Sequence, residues 1–256
     1  MEMRTRGRLK GLTDFALLFK GNLIEFRQDW VWYLTFMSFS SVMFLVFLWL
    51  SIGRGNPQSA LYIITGSLTQ TLTTSGMLSL GQEIGGMKNS AIFDHYAALP
   101  ISKVSFIAAM VSKSMLFSLP SLAFSLLFAA LVLRITVHLS LNVLLAVLLG
   151  GYSLVGIGAI VGFYSKTGRV AGLATQYLSP IITYLAPVFM PKEALPGFLQ
   201  VTSVVLPTTY VASAFRGAIS GQPFSALSRD FAILVLWIVG SLALVFPRLD
   251  WRGRRN

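Results

Sequence analysis

Residues 82–103, Gln82 to Lys103, read QEIGGMKNSAIFDHYAALPISK and lie between two long apolar runs. The stretch carries Glu83, Lys88, Asp94, His95 and Lys103, a large share of charge for a chain that has little of it. Two apolar segments can be joined by a handful of polar residues. A connection of this length, with a helical rhythm of its own, needs another explanation.

The flanking runs decide the fold class. A helix needs about 20 apolar residues to cross a hydrocarbon core of roughly 30 Å. Runs at 30–52, 57–80, 104–133, 141–163, 170–190 and 231–247 meet or approach that length, the last being the shortest. The chain is 55% hydrophobic and 11% charged, with a mean hydropathy of +0.72. Soluble domains carry roughly 25% charged residues, so the expected class is an all-α integral membrane protein forming one transmembrane domain over 1–256.

The net charge of +11 invites a nucleic-acid reading. The distribution excludes it, because the basic residues stand at the ends of apolar runs rather than along one surface. No Cys is present, which removes disulfide frameworks and thiolate metal sites. Positive charges are enriched on cytoplasmic connections. With six spans and the N-terminus inside, fifteen of the 20 Lys and Arg residues are cytoplasmic; Arg54, Arg134, Lys192, Arg216 and Arg229 are outside. A seventh span would put the Arg-rich C-terminal end outside, so six spans with both termini cytoplasmic is the expected topology.

Two further segments need placing. Before Trp30 there is no apolar core of the secretory type. Leu12, Phe15, Phe19, Leu23 and Phe26 recur at helical spacing with Asp14, Lys20 and Arg27 between them. The pattern predicts an amphipathic helix over 9–28, separate from the first span. It lies in the interface or packs on the protein's own spans. The uncharged run from Ala194 contains Pro196, Gly197 and Pro207, which predicts broken, re-entrant external helices over 194–222.

In this topology residues 83–103 are cytoplasmic. Gly85-Gly86 is expected to end the second span and Pro100 to stop the chain again before the third. A short helix from Met87 to Leu99 would then place Ile92, Phe93, Tyr96 and Leu99 on one side, with Lys88, Asp94 and His95 facing water. Such a helix fits a groove on another protein or lies unpartnered at the interface.

The arrangement resembles the membrane subunit of ABC-2-type exporters. Members commonly carry a cytoplasmic loop Glu followed by a (T/L)-P-(I/V)-S run, here Glu83 and Leu99-Pro100-Ile101-Ser102. Late in the chain they carry P-(L/T)-T-(Y/H), then an Arg and a Gly. Here the stretch LPTTYVASAFRGAISG (206–221) supplies Pro207, Thr209, Tyr210, Arg216 and Gly221. Many members place an acid three residues after the aromatic, where this chain has Ser213. That departure removes an acidic partner for Arg216 within the segment. The resemblance implies that residues 83–103, with Glu83, Phe93, Tyr96, Leu99 and Pro100, dock on a separate ATP-hydrolysing subunit that holds ATP and Mg. It also implies a second copy of the chain and export of a drug, lipid or lipid-linked glycan.

The residues themselves support a non-catalytic reading. GxxxxGK(S/T) is absent, and Ser165-Lys166-Thr167-Gly168 lacks the spacing that cradles phosphates. Thr74-Ser75-Gly76 superficially suggests an intramembrane nucleophile, but neither His95 nor His138 falls in a span core to act as its base. Glu83, Asp94 and Asp230 read as separated and outside the spans, forming no metal site. A channel or secondary transporter is the competing class, although the runs carry no carboxylate for ion coupling and show no inverted repeat.

Candidate pathway residues are Gln70, Thr73 and Thr74 in the polar second span and Phe36 and Phe39 in the first; packing is the alternative for each. Pro120, Pro180 and Pro187 would kink spans three and five. Gly158 and Gly162 would permit close helix approach, within the chain or at a seam between two copies.

Overall fold

The computed structural model describes residues 2–53, 57–88, 95, 96, 99, 101–131, 138 and 140–248. Among these residues the protein is helical, with no strand. The elements are α1 (Glu2–Leu48), α2 (Pro57–Leu72), α3 (Ser79–Lys88), α4 (Lys103–Leu131), α5 (Leu141–Tyr164), α6 (Gly168–Tyr184), α7 (Gly197–Thr202), α8 (Pro207–Ile219) and α9 (Phe224–Val245). The parts of α4, α5 and α9 at Val104–Leu131, Leu141–Tyr164 and Phe224–Val245 are each long and apolar enough to cross a membrane.

The separate N-terminal helix and first span expected from sequence are one element. α1 has 47 residues, roughly 70 Å at about 1.5 Å per residue. Neither Gly nor Pro occurs between Gly21 and Gly53, so nothing interrupts the backbone ladder until the π-helical turn Trp49–Gly53. α1 lies along α4 for much of its length.

The second column runs from Pro57 to Lys88 as α2, a π-helical segment Thr73–Leu78, and α3. Its hydroxyls bond back into their own helix: Thr69 to the Thr65 carbonyl (2.8 Å), Thr71 to Ser67 (2.8 Å), Thr73 to Thr69 (2.8 Å) and Ser75 to Thr71 (2.6 Å). Such bonds compete with the backbone for the same carbonyls and tend to bend helices. The π segment begins where they are densest.

Gly85-Gly86 does not break this column, contrary to the sequence expectation. α3 passes through both residues. A Cβ on Gly85 would lie 2.6 Å from the Ala171 methyl, whereas one on Gly86 would meet nothing within 4 Å. Gly85 is therefore a contact glycine, letting α3 approach the first turn of α6.

α5 is the centre of the bundle, touching α3, the π segment, α8 and α9. A side chain at Gly158 would run into the Met77 backbone, and one at Gly162 into Ile84. Both glycines are spent on contacts within the chain, so they do not form a seam between copies. Leu68, Leu72, Met77, Leu154, Val211, Phe215 and Leu234 share the main apolar core around this helix.

α6 ends at Tyr184, short of the expected span to residue 190. Pro180 lies inside the helix, but Pro187 falls in the turn beyond it and kinks no span. The turn folds inward: Val188 is fully buried, and Phe189 packs on Gly66. α9 begins at Phe224, seven residues before the expected start, because extended Pro223 delivers the chain to its first turn. Between α8 and α9, Gly221 adopts φ 75°. The Gln222 amide then bonds the Gly217 carbonyl (2.9 Å) and the Gly221 amide bonds Ala218 (3.1 Å), the Schellman closure that a left-handed glycine permits.

These packing assignments separate two glycines that look alike in sequence. Gly158→Ala should destabilise by about 1–3 kcal/mol through overpacking, whereas Gly86→Ala should be neutral or stabilise by up to about 1 kcal/mol. Thermal unfolding in detergent reads both; a Gly86→Ala loss equal to that of Gly158→Ala would contradict a continuous α3.

Candidate functional site

Four ties converge where α1, α3, Tyr96, Ser102 and α4 meet. Ser102 caps α4: its hydroxyl accepts from the Ser105 amide (3.0 Å), and the Phe106 amide bonds the Ser102 carbonyl (3.1 Å). The final Ser of the Leu-Pro-Ile-Ser run thus has a local physical purpose, satisfying a donor that the first helical turn leaves open. The Ser102 amide donates to Asp14 Oδ2 of α1 (3.3 Å), and Asn22 Nδ2 donates to the Ala109 carbonyl (3.4 Å). Tyr96 stacks obliquely on Phe106 with ring centroids 4.9 Å apart. Glu83 Oε1 of α3 pairs with Lys113 Nζ of α4 at 3.0 Å.

The ion pair is the costly member of this junction. Lys113 is buried at 7% exposure and lies 5.6 Å from the Phe117 ring centroid. Glu83 keeps a quarter of its side chain exposed. Glu83, Tyr96, Asn22 and Lys113 line one cavity of about 200 Å³. The structure thus brings together Glu83 and Tyr96 of the sequence-predicted set; Leu99 is exposed nearby, its amide bonded to the Tyr96 carbonyl (3.2 Å). Phe93 and Pro100 lie outside the described residues, as does most of the expected Met87–Leu99 helix. Sequence reading missed Lys113 and Asn22. A lysine within an apolar run was the available signal for the first; nothing marked the second.

At the opposite end, the 206–221 segment straps itself to its neighbours. Pro207 opens α8 at a position that needs no amide donor. Thr208 Oγ1 donates to the Ile182 carbonyl, Thr209 Oγ1 to Ser203 and Tyr210 Oη to Val204, each at 2.6 Å. Arg216 reaches across the bundle, donating to the Val188 carbonyl (3.3 Å) with its guanidinium 4.5 Å from the Tyr62 ring centroid.

An acid is present here after all. Asp230 of α9 accepts a hydrogen bond from Ser213 and lies close enough to Arg216 for direct electrostatic attraction. The acid that Ser213 leaves out of the 206–221 segment is thus supplied from α9. The signal was in the spacing: positions 213 and 230 are equidistant from the Gly221–Gln222 turn, so an antiparallel helix pair faces them together.

The candidate pathway residues divide. Thr73 is fully buried, while Thr74 is exposed and Gln70 half-buried. Gln70 Nε2 reaches Thr74 Oγ1 at 3.5 Å, and Gln70 Oε1 is a buried acceptor with no partner among the described residues. Phe189, seated on Gly66 one turn from Gln70, also meets Phe44 of α1 and Tyr184 of α6 at centroid distances of 5.6 and 5.9 Å. Phe39 is 63% exposed; the Phe36 side chain lies outside the described set.

Charge removal tests both clusters. Glu83→Ala should cost about 2–3 kcal/mol by stranding the Lys113 ammonium, while Glu83→Leu with Lys113→Met should return to within about 1 kcal/mol of the native chain. Equal losses in the single and double variants, read from unfolding midpoints, would deny the coupling. At the other end, Asp230→Asn should lower the midpoint, and adding Ser213→Asp should recover at least half of the loss. No recovery would mean that the carboxylate serves something other than Arg216.

Comparison with known proteins is consistent with this geometry. Three relatives, each called inner membrane transport permease YadH and found in Escherichia coli K12, Escherichia coli O157:H7 and Shigella flexneri, are 25% identical over 197 residues. The match covers 75% of this chain and 75% of each relative. The model of the ABC-2 type transporter family matches residues 13–220, which takes in the Glu83–Lys113 junction and Arg216 but not Asp230. This multi-pass helical membrane protein belongs to the ABC-2 type transporter family.

Proposed function

We propose that the chain is the membrane-spanning subunit of an ATP-driven exporter in the inner or plasma membrane, with six spans and both termini cytoplasmic. It carries no nucleotide-binding loop; ATP and Mg belong to a separate ATPase subunit. Residues 83–103 dock on that ATPase. The observation that carries this reading is the junction at the base of the segment. Tyr96 on Phe106, Ser102 on Asp14, and Glu83 on Lys113 tie the stretch to α1, α3 and α4 at once. A push on Tyr96 or Ser102 would reach α4 and α1 through direct contacts.

Two copies of the chain enclose the pathway in this proposal, with the half-exposed Gln70–Thr74 face of the second span lining it beside Phe39. Thr73 faces the core and is left out. A route carrying few polar groups and no carboxylate suits an amphipathic cargo such as a drug, a lipid or a lipid-linked glycan.

The test is purification with the ATPase encoded beside it, reconstitution into vesicles, and measurement of hydrolysis with candidate cargo. A stable complex whose hydrolysis responds to cargo is expected. Phe93→Ala with Tyr96→Ala should lower cargo-stimulated hydrolysis at least about fivefold (~1 kcal/mol of coupling) while the chain still inserts. A chain that passes solute with no ATPase present would replace this reading with a channel or secondary transporter.

A further inference from the structure

One apolar hollow belongs to neither cluster described above. It is a half-open groove of about 490 Å³ between α1, α4, α5 and α9, lined by Phe15, Val104, Ser112, Gly156, Ile238 and Phe246 among others. Its polar groups are few, and one of them, the Ser241 hydroxyl, already donates to the Ile238 carbonyl (2.9 Å). Apolar hollows gain nothing from water, and the volume is that of a ligand site. In a membrane protein the ready occupant is a hydrocarbon chain.

The groove has a direction. Its walls run along α4 from Val104 to Ser112 and along α9 from Ile238 to Phe246. Each wall is about 12 Å long at ~1.5 Å per residue, against roughly 15 Å for half of a ~30 Å hydrocarbon core. The depth therefore matches one leaflet. Both walls finish at the same end beside a basic residue: Lys103 immediately precedes Val104, and Arg248 follows Phe246 by two positions. Arg252, Arg254 and Arg255 follow in sequence. The neighbouring acid, Asp14, accepts from the Ser102 amide (3.3 Å) and offsets one of these charges, so Lys103 and Arg248 still leave this end net positive. Clustered Lys and Arg at a membrane surface favour anionic headgroups.

We infer that the groove between α1, α4, α5 and α9 holds one acyl chain of an anionic phospholipid, its headgroup at the Lys103 and Arg248 end. Naming that leaflet cytoplasmic rests on the orientation proposed above; occupancy of the groove does not. The lipid fills the space between two helices that meet the Glu83 junction and one that meets the Arg216 cluster, so it is a structural ligand of the bundle rather than cargo.

The experiment uses the full chain in nanodiscs containing a phosphatidylglycerol whose acyl chain is photoactivatable, with labelled peptides identified by mass spectrometry. Labelling should concentrate on residues 104–112 and 238–246 and be competed by unlabelled phosphatidylglycerol at least about tenfold better than by phosphatidylcholine. Ala108→Trp, which fills the groove, should reduce that labelling about tenfold. Lys103→Gln with Arg248→Gln alters only helix ends and should abolish the headgroup preference while labelling persists. Labelling spread evenly around the bundle and unchanged in Ala108→Trp would overturn the site. Equal competition by phosphatidylcholine in the native chain would overturn the anionic assignment, as would displacement by a transported drug but not by phosphatidylglycerol. None of these readouts measures transport, so failure of the exporter reading would register separately.

Discussion

An ammonium ion inside an apolar bundle requires a counter-charge, and the position of Lys113 sets much of the surrounding architecture. Its partner Glu83 comes from another helix and keeps a quarter of its side chain exposed while Lys113 is buried. Meeting that need fixes the register of α3 against α4. Asp14 and Asn22 then fix α1 to the same helix through two backbone groups of α4, and the Ser102 cap settles where α4 starts. Several independent ties, each modest alone, thus converge around one buried charge whose separation would be expensive.

The middle of the molecule solves a related problem differently. The hydroxyls of the second column have no water to bond, and most are satisfied by carbonyls of their own helix. Thr71 is also shared outward, with Ser41 of α1, which in turn meets Ser125 of α4 at 2.9 Å. The column pays in regularity, widening into a π segment. Met77 in that segment presents backbone to Gly158, so the irregular turn is held by direct backbone packing against α5. π turns are often found where helices serve a function, and this one adjoins the Gln70–Thr74 face.

Much of this was legible in the amino-acid sequence. Three of the apolar runs are long helices, and the PTTY segment breaks into short helices as its prolines require. What escaped reading has a common cause. Glycine and proline mark exceptions, but sequence does not say whether a glycine serves a turn or a contact: Gly85 was a contact, Gly221 a true left-handed turn. The junction between the N-terminal helix and the first span was invisible because a change from amphipathic to apolar character needs no change in backbone. Lys113 was counted as a surface charge, although it is buried. Asp230 was legible in principle, since helix-pair symmetry about Gly221–Gln222 pairs it with Ser213.

The unbroken α1 also has a mechanical consequence. A rod is pinned near one end to α4 through Asp14 and Asn22, and again through Ser41 to α2 and α4. Its stiffness forbids those attachments from shifting independently. With both attachments on one continuous helix, a shift at the start of α4 is felt along α1 as far as Ser41, where the same rod meets α2 and α4 again.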